Sequence, residues 1–179
     1  LVRGEFNVEG YPSRPFLDLV TAVKPHQVTL VPDPPGALTS TTGWDTQANK
    51  ALLQEVTQEL HQHDIRVSIF LNPDIPLPEA APATGTDRIE LYTAPYVEQY
   101  PENPEQAITP YVQTAQHAME QGLGIKAGHD LNLQNLAYLN QHLPGLLEVS
   151  IGQALVCDAL YYGLENAIQL YQRQLAVPA

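Results

Sequence analysis

Short apolar segments alternate with longer amphipathic segments along almost the whole 179-residue chain. The short segments show little alternation of polar and apolar residues, which is typical of strands buried on both faces of a parallel sheet. The longer segments repeat apolar residues at spacings of three and four, which predicts helices packed on that sheet. Six strands are predicted, over residues 5–9, 27–31, 65–71, 88–92, 124–127 and 147–151.

Helices are predicted over residues 14–23, from Asp45 or Thr46 to 61, and over 104–121 and 154–175, and Gly163 could divide the last of these. Pro110 either kinks the third helix or marks its true start. A further helix should begin after Asp130 or Asn132, since both residue types cap helices well. Irregular segments are expected over 32–43, 72–86 (with at most a short helix near 77–81) and 93–103. Long loops in compact domains are often functional.

Composition and charge narrow the function classes. The net charge is −12 with only eight Lys plus Arg, so nucleic acid and anionic membranes are poor partners. No apolar run approaches ~18 residues, and the first residues lack a signal-peptide pattern, so a cytoplasmic protein is expected. The single cysteine, Cys157, is expected to be a small core residue. No internal linker is evident, so residues 1–179 are predicted to form one domain.

Polar residues end several of the predicted strands. They are Asn7, Glu9, Glu90, His129, Ser150 and the following Gly152. In an open sheet these groups would be spread along one edge, whereas in a closed (β/α)8 barrel they converge at one mouth. Convergence of carboxylates and a histidine favours the barrel. A complete barrel has eight units and typically ~250 residues, and this chain supplies six units.

His129 stands where a predicted strand ends and a helix begins, which is where parallel α/β proteins bind ligands. A histidine there can titrate near neutral pH. It could equally be a turn residue that caps a carbonyl group, and this segment alone leaves both interpretations open.

Eight short motifs occur in a specific order across the chain, and any one of them alone would be weak evidence. They are Asn7-Val8-Glu9, Lys24-Pro25-His26, Leu30-Val31-Pro32, Thr39-Ser40 with Gly43-Trp44-Asp45, Val67-Ser68-Ile69-Phe70, Ile89-Glu90-Leu91-Tyr92-Thr93, Ala127-Gly128-His129-Asp130 and Ser150-Ile151-Gly152-Gln153. In this order and spacing the chain resembles the pyridoxine 5′-phosphate synthase family, which are (β/α)8-barrel enzymes of vitamin B6 synthesis.

The resemblance implies a transferase reaction that joins 1-deoxy-D-xylulose 5-phosphate to 3-amino-2-oxopropyl phosphate and releases phosphate and water. Such chemistry needs repeated proton transfers, so general acid–base catalysis is expected, with no cofactor and no metal. The resemblance also implies a homo-oligomer. It places residue 1 just ahead of the family's third strand, so either the product is truncated or the first two βα units lie outside this sequence; we favour the latter.

The resemblance also implies roles for single residues. Glu9 matches the general base and His129 the proton donor. The positions that match substrate contacts are Thr39 for the pentulose phosphate, and Asp130, Gly152 and Gln153 for the amino-oxopropyl phosphate. A glutamate that ends an apolar strand at a barrel mouth should have a raised pKa. For Glu90, a structural role in the barrel interior is at least as plausible as a catalytic one.

Departures from the family pattern keep two alternatives open. Gln153 replaces the usual histidine, and Lys126 replaces a common asparagine. A glutamine can donate a hydrogen bond to phosphate but carries no charge. One alternative is a divergent or non-catalytic paralogue that binds a phosphorylated metabolite. The other is a different phosphosugar aldolase or isomerase, for which Lys126 is the only candidate to form a Schiff base.

Overall fold

The computed structural model describes residues 4–33, 36, 42–73 and 80–176. Within them, six strands form one sheet in which each strand pairs in parallel with the next along the chain. The strands are β1 (Asn7–Gly10), β2 (Gln27–Leu30), β3 (Arg66–Leu71), β4 (Arg88–Tyr92), β5 (Gly124–Gly128) and β6 (Leu146–Ser150). The predicted six-unit parallel architecture is therefore confirmed.

Contacts between non-neighbouring strands show that this sheet is strongly curled. In a flat sheet, β2 and β6 would lie about 19 Å apart, given a spacing of about 4.8 Å between neighbours. Instead, Gln27 Nε2 of β2 donates to Glu148 Oε2 of β6 across 3.1 Å. Lys126 of β5 likewise reaches Thr29 of β2 at 2.9 Å. The sheet therefore forms most of a (β/α)8 barrel wall, and the polar side chains of its inner face meet in the middle.

Seven α-helices are present in the described residues and follow the strands. They are α1 (Arg14–Val23), α2 (Lys50–His61), α3 (Ala94–Gln99), α4 (Pro104–Glu120), α5 (Leu136–His142), α6 (Gln153–Tyr162) and α7 (Leu164–Leu175). A short 3-10 helix spans Pro82–Thr84. The apolar core lies between the outer face of the sheet and these helices, as shown by the complete burial of Val20, Leu60 and Ala115 against strand residues such as Ile69 and Ile125.

One predicted loop was wrong, and the predicted start of helix α4 at residue 104 is confirmed. The segment 93–103 was expected to be a loop, but it contains α3, whose Tyr96 is buried and donates its hydroxyl to Asn135 O at 2.8 Å. Tertiary burial therefore outweighs the local turn signals. Helix α4 begins at Pro104 and contains Pro110, because Asn103 caps it by accepting from Gln106 N.

Two helices begin later than predicted. Helix α2 starts at Lys50, since Asp45 Oδ1 accepts from Gln47 N and Ala48 N and so closes a separate turn. Helix α5 starts at Leu136, four residues after the predicted cap Asn132. The predicted division of the C-terminal helix at Gly163 is confirmed. Most of the short helix predicted near residues 77–81 lies outside the described residues.

Candidate functional site

The carboxyl ends of three strands surround a cleft of about 450 Å³. Its walls come from β1 and β6, and from the turn that follows β5. The cleft is lined by Asn7, Glu9, His129, Asp130, Ser150, Ile151, Gly152 and Gln153. Five of the six predicted site residues therefore lie around one space. The sixth, Thr39, lies outside the described residues.

Glu9 lies in β1, at the open edge of the described sheet. Burial of its carboxyl group, and then the like charge of Glu90, raise the pKa of Glu9 to about 7. Lys126 opposes this effect, and Asp33 adds to it. The residue also keeps an exposed surface, through which water screens part of these charge effects. A carboxylate with this pKa can accept a proton near neutral pH.

His129 is held by an unusual backbone and by aromatic neighbours. Both His129 and Asp130 have positive φ angles, 83° and 59°, a region that residues other than glycine seldom adopt. The Thr93 hydroxyl donates to Gly128 O at 2.6 Å and also to His129 O, which fixes this turn. The imidazole packs against both Phe70 and Tyr92, with ring centroids 4.7 and 5.5 Å away. Its ring is therefore fixed at the cleft.

A group of buried polar side chains lies on the inner face of the barrel wall, below the cleft. Lys126 Nζ donates to Glu90 Oε2 at 2.8 Å and to Thr29 Oγ1 at 2.9 Å. Lys126 is 1% exposed and Glu90 is fully buried. Glu90 therefore has a structural partner, and the ammonium group of Lys126 is already occupied and closed to solvent. Both facts count against Lys126 as a Schiff-base residue.

Gly152 and Gln153 form the N-terminal end of α6, where unpaired backbone N–H groups can bind an anion. No acidic residue lies in the first turn of this helix. Both residues are exposed and, with Asp130, also border a smaller neighbouring cavity of about 230 Å³. Cys157 lines that cavity and is exposed, so its predicted place in the core was wrong. Helix α6 buries none of its residues, and Cys157 lies one turn after its start.

Sequence reasoning missed two parts of this site. Asp33, which influences Glu9, follows β2 in a segment that was treated only as a loop. The pairing of Lys126 with Glu90 was also missed, although a signal existed. Both residues lie at the middle of strands that are neighbours in a parallel sheet, and the register does place Glu90 opposite Lys126.

Across the described ranges, no group of three or more His, Cys, Asp or Glu side chains is arranged to hold a metal ion. Among the helices of those ranges, none is long and apolar enough to cross a bilayer.

Comparison with known proteins identifies the family. A family model described as "Pyridoxal phosphate biosynthesis protein PdxJ" matches residues 1–177. The chain belongs to this family. The pyridoxine 5′-phosphate synthase of Parabacteroides distasonis is 55% identical over 172 residues, which cover 96% of this chain and 72% of the relative. That of Bacteroides thetaiotaomicron is 53% identical over 175 residues, covering 98% and 74%. The resemblance noted from the motifs is thereby confirmed.

Solved structures of other proteins share only the fold with this PdxJ-family chain. Citrate synthase SbnG aligns with a TM-score of 0.58 at 11% identity and covers 96% of this chain and 73% of its own. A xylose isomerase domain protein from Planctomyces limnophilus aligns with a TM-score of 0.58 at 12% identity, covering 97% and 73%. The barrel architecture is therefore shared well beyond the family.

Proposed function

We propose that this chain carries out the pyridoxine 5′-phosphate synthase reaction of its relatives. In that reaction 1-deoxy-D-xylulose 5-phosphate and 3-amino-2-oxopropyl phosphate condense to pyridoxine 5′-phosphate, with release of phosphate and water. The observation that carries the proposal is that Glu9 and His129 line the same cleft as the N-terminal end of α6. A proton acceptor, a proton donor and an anion-binding helix end thus surround one substrate-sized space.

Glu9 is the general base in this proposal. Because its pKa is about 7, a large fraction is ionised near neutral pH, yet it is a stronger base than an ordinary glutamate. It would remove a proton from carbon next to a carbonyl or imine group of the substrate. His129, whose ring packs against Phe70 and Tyr92, would return a proton to the departing oxygen in a dehydration step.

The opposite wall of the cleft would hold the amino-oxopropyl phosphate. Backbone N–H groups at Gly152 and Gln153 suit its phosphate, and the carboxylate of Asp130 suits its amino group. The amide of Gln153 can donate one more hydrogen bond to phosphate. Thr39 stays a predicted contact of the pentulose phosphate.

Other properties belong to the same proposal. They are a one-domain organisation of residues 1–179, self-association into a homo-oligomer, small phosphorylated substrates and a cytoplasmic location. The aldolase alternative is less well supported, because the buried ammonium of Lys126 is held by Glu90 and Thr29. Turnover of the two phosphate substrates by the purified protein would exclude the non-catalytic alternative.

The proposal is tested by mixing the purified protein with both phosphate substrates and following pyridoxine 5′-phosphate by its absorbance and inorganic phosphate by colorimetry. Glu9→Gln should lower kcat by ~10²-fold or more, the usual contribution of a general base. Glu55→Gln is the matched control, since Glu55 is exposed on α2, away from the cleft. Substrate binding without turnover by the unmodified protein would favour the non-catalytic paralogue, and equal rates for both variants would remove Glu9 from the mechanism.

A further inference from the structure

Lys126 is the most deeply enclosed cationic side chain of the inner barrel wall in the described residues. It projects from β5 and contacts side chains of three other strands. Its Nζ lies 2.8 Å from Glu90 of β4, 2.9 Å from Thr29 of β2 and 3.6 Å from Glu148 of β6. An ammonium group that is 1% exposed is tolerated only when charged and polar partners replace its water.

The Glu90 carboxylate uses only one of its two oxygens in these contacts. Oε2 accepts from Lys126, whereas Oε1 is buried and has no hydrogen-bond partner among the described residues. Oε1 occupies the space that a side chain at residue 128 would fill, since a Cβ on Gly128 would lie only 2.1 Å from it. Ser150, which lines the cleft, borders the same point. The free oxygen of Glu90 therefore lies just beneath the floor of the cleft.

We propose that Lys126 is a positioning residue, which holds the Glu90 carboxylate ionised and turned so that one oxygen stays available beneath the cleft. Lys126 does not touch the cleft itself, and its effect is exerted through Glu90. The consequence for catalysis, a negative charge close to Glu9 that makes Glu9 a stronger base, rests on the function proposed above.

The other charged groups around this pair lie on β1, β4 and β6, whereas β2 contributes the uncharged Thr29. Glu9 of β1 and Glu148 of β6 are the other carboxylates, and Arg88 of β4 is paired with Glu148. Because Arg88 already compensates Glu148, Lys126 is the cation left to compensate Glu90 among the described residues. The like charge of Glu90 raises the pKa of Glu9 more strongly than Lys126 lowers it.

Removing the ammonium group of Lys126 should therefore change the protonation state of Glu90. In Lys126→Met the buried carboxylate has no cation, and the least costly response is to take up a proton. Because Glu9 is itself partly protonated near neutral pH, the variants are compared in a Glu9→Gln background. Infrared spectroscopy of the folded chain near neutral pH then detects protonated, buried Glu90 by its carboxylic-acid carbonyl band. The band should appear when Lys126→Met is added and disappear when Glu90→Gln is added as well. Lys50→Met in the same background, which removes an exposed lysine at the start of α2, is the matched control and should lack the band.

An unchanged infrared spectrum in folded Lys126→Met would overturn the proposal, since Glu90 would then be ionised without its lysine. If Lys126→Met does not fold, Lys126→Gln provides the same test, because glutamine keeps a hydrogen-bond donor but not the charge. Neither spectrum depends on turnover, so a failed synthase assay leaves this test intact.

In an active protein, the pH dependence of kcat/KM gives a second readout. Protonation of Glu90 removes the larger of the two opposing charge effects on Glu9. The acid limb of the profile should therefore move to lower pH in Lys126→Met and stay in place in Lys50→Met. An acid limb that does not move, or that moves to higher pH, would contradict the inferred role even if the rate falls.

Discussion

The close approach of Gly128 to Glu90 predicts a large effect of adding one methyl group. In Gly128→Ala the new Cβ would lie 2.1 Å from Glu90 Oε1 and 3.1 Å from Glu90 Cδ and Ser150 Cβ. The first distance is more than an ångström inside van der Waals contact. The Glu90 carboxylate cannot turn aside freely, because its other oxygen is held by Lys126 at 2.8 Å.

Two known costs bracket the loss of stability expected in Gly128→Ala. Overpacking a core by a methyl group costs about 1–3 kcal/mol, and separating a buried ion pair costs about 3–5 kcal/mol. We expect the free energy of unfolding to fall by about 2–4 kcal/mol in Gly128→Ala. For a chain of this size, each kcal/mol lowers Tm by roughly 2–4 °C. Urea unfolding followed by circular dichroism measures the change directly.

Two further variants separate the steric cause from a general effect of replacing glycine. Gly4→Ala is the matched control, since a Cβ there meets no atom within 4 Å, and it should stay within about 0.5 kcal/mol of the unmodified protein. In a Glu90→Ala background the Gly128→Ala penalty should fall to less than half, because the clashing oxygen is gone. A penalty below about 0.5 kcal/mol, or an equal penalty in both backgrounds, would refute the reasoning.

Three other predictions follow from single residues. Because burial raises the pKa of Glu9 to about 7, kcat/KM should rise with pH through about 7, and a rate already constant from pH 5 upward would contradict this. The folded protein binds this proton more tightly than the unfolded chain, so stability falls as pH rises from about 4.5 towards 7. The free energy of unfolding of Glu9→Gln should therefore exceed that of the unmodified protein by more at pH 8 than at pH 5. Urea titrations at the two pH values measure this difference. Asn103→Ala, which removes the acceptor for Gln106 N, should lower Tm through a loss of about 1 kcal/mol, whereas an unchanged Tm would show that the cap contributes nothing.

The general architecture could be predicted from the sequence because it depends on local periodicity. Apolar strands buried on both faces need no knowledge of distant residues to be recognised, and all six were found. Helix α3 could not be found in this way. Its segment carries proline and polar residues, and it is helical because Tyr96 fits a buried position beside Tyr111 and Asn135.

The candidate site could be predicted in part, for a related reason. Glu9 and His129 end their strands, and topology alone brings strand ends together. The exposure of Cys157 was not foreseeable from its residue type, because it depends on α6 burying none of its side chains. The Lys126–Glu90 pair needed the register of two strands, which short apolar segments define poorly.

The polar inner face of the barrel wall also limits how such a sequence can change over evolutionary time. Two charged pairs lie on it, Arg88 with Glu148 and Lys126 with Glu90. In each pair, the charge of one residue is compensated by a residue on another strand. Replacing one residue by a neutral one therefore leaves the charge of the other without a partner. Accepted substitutions should therefore arrive in pairs or triplets drawn from distant parts of the chain.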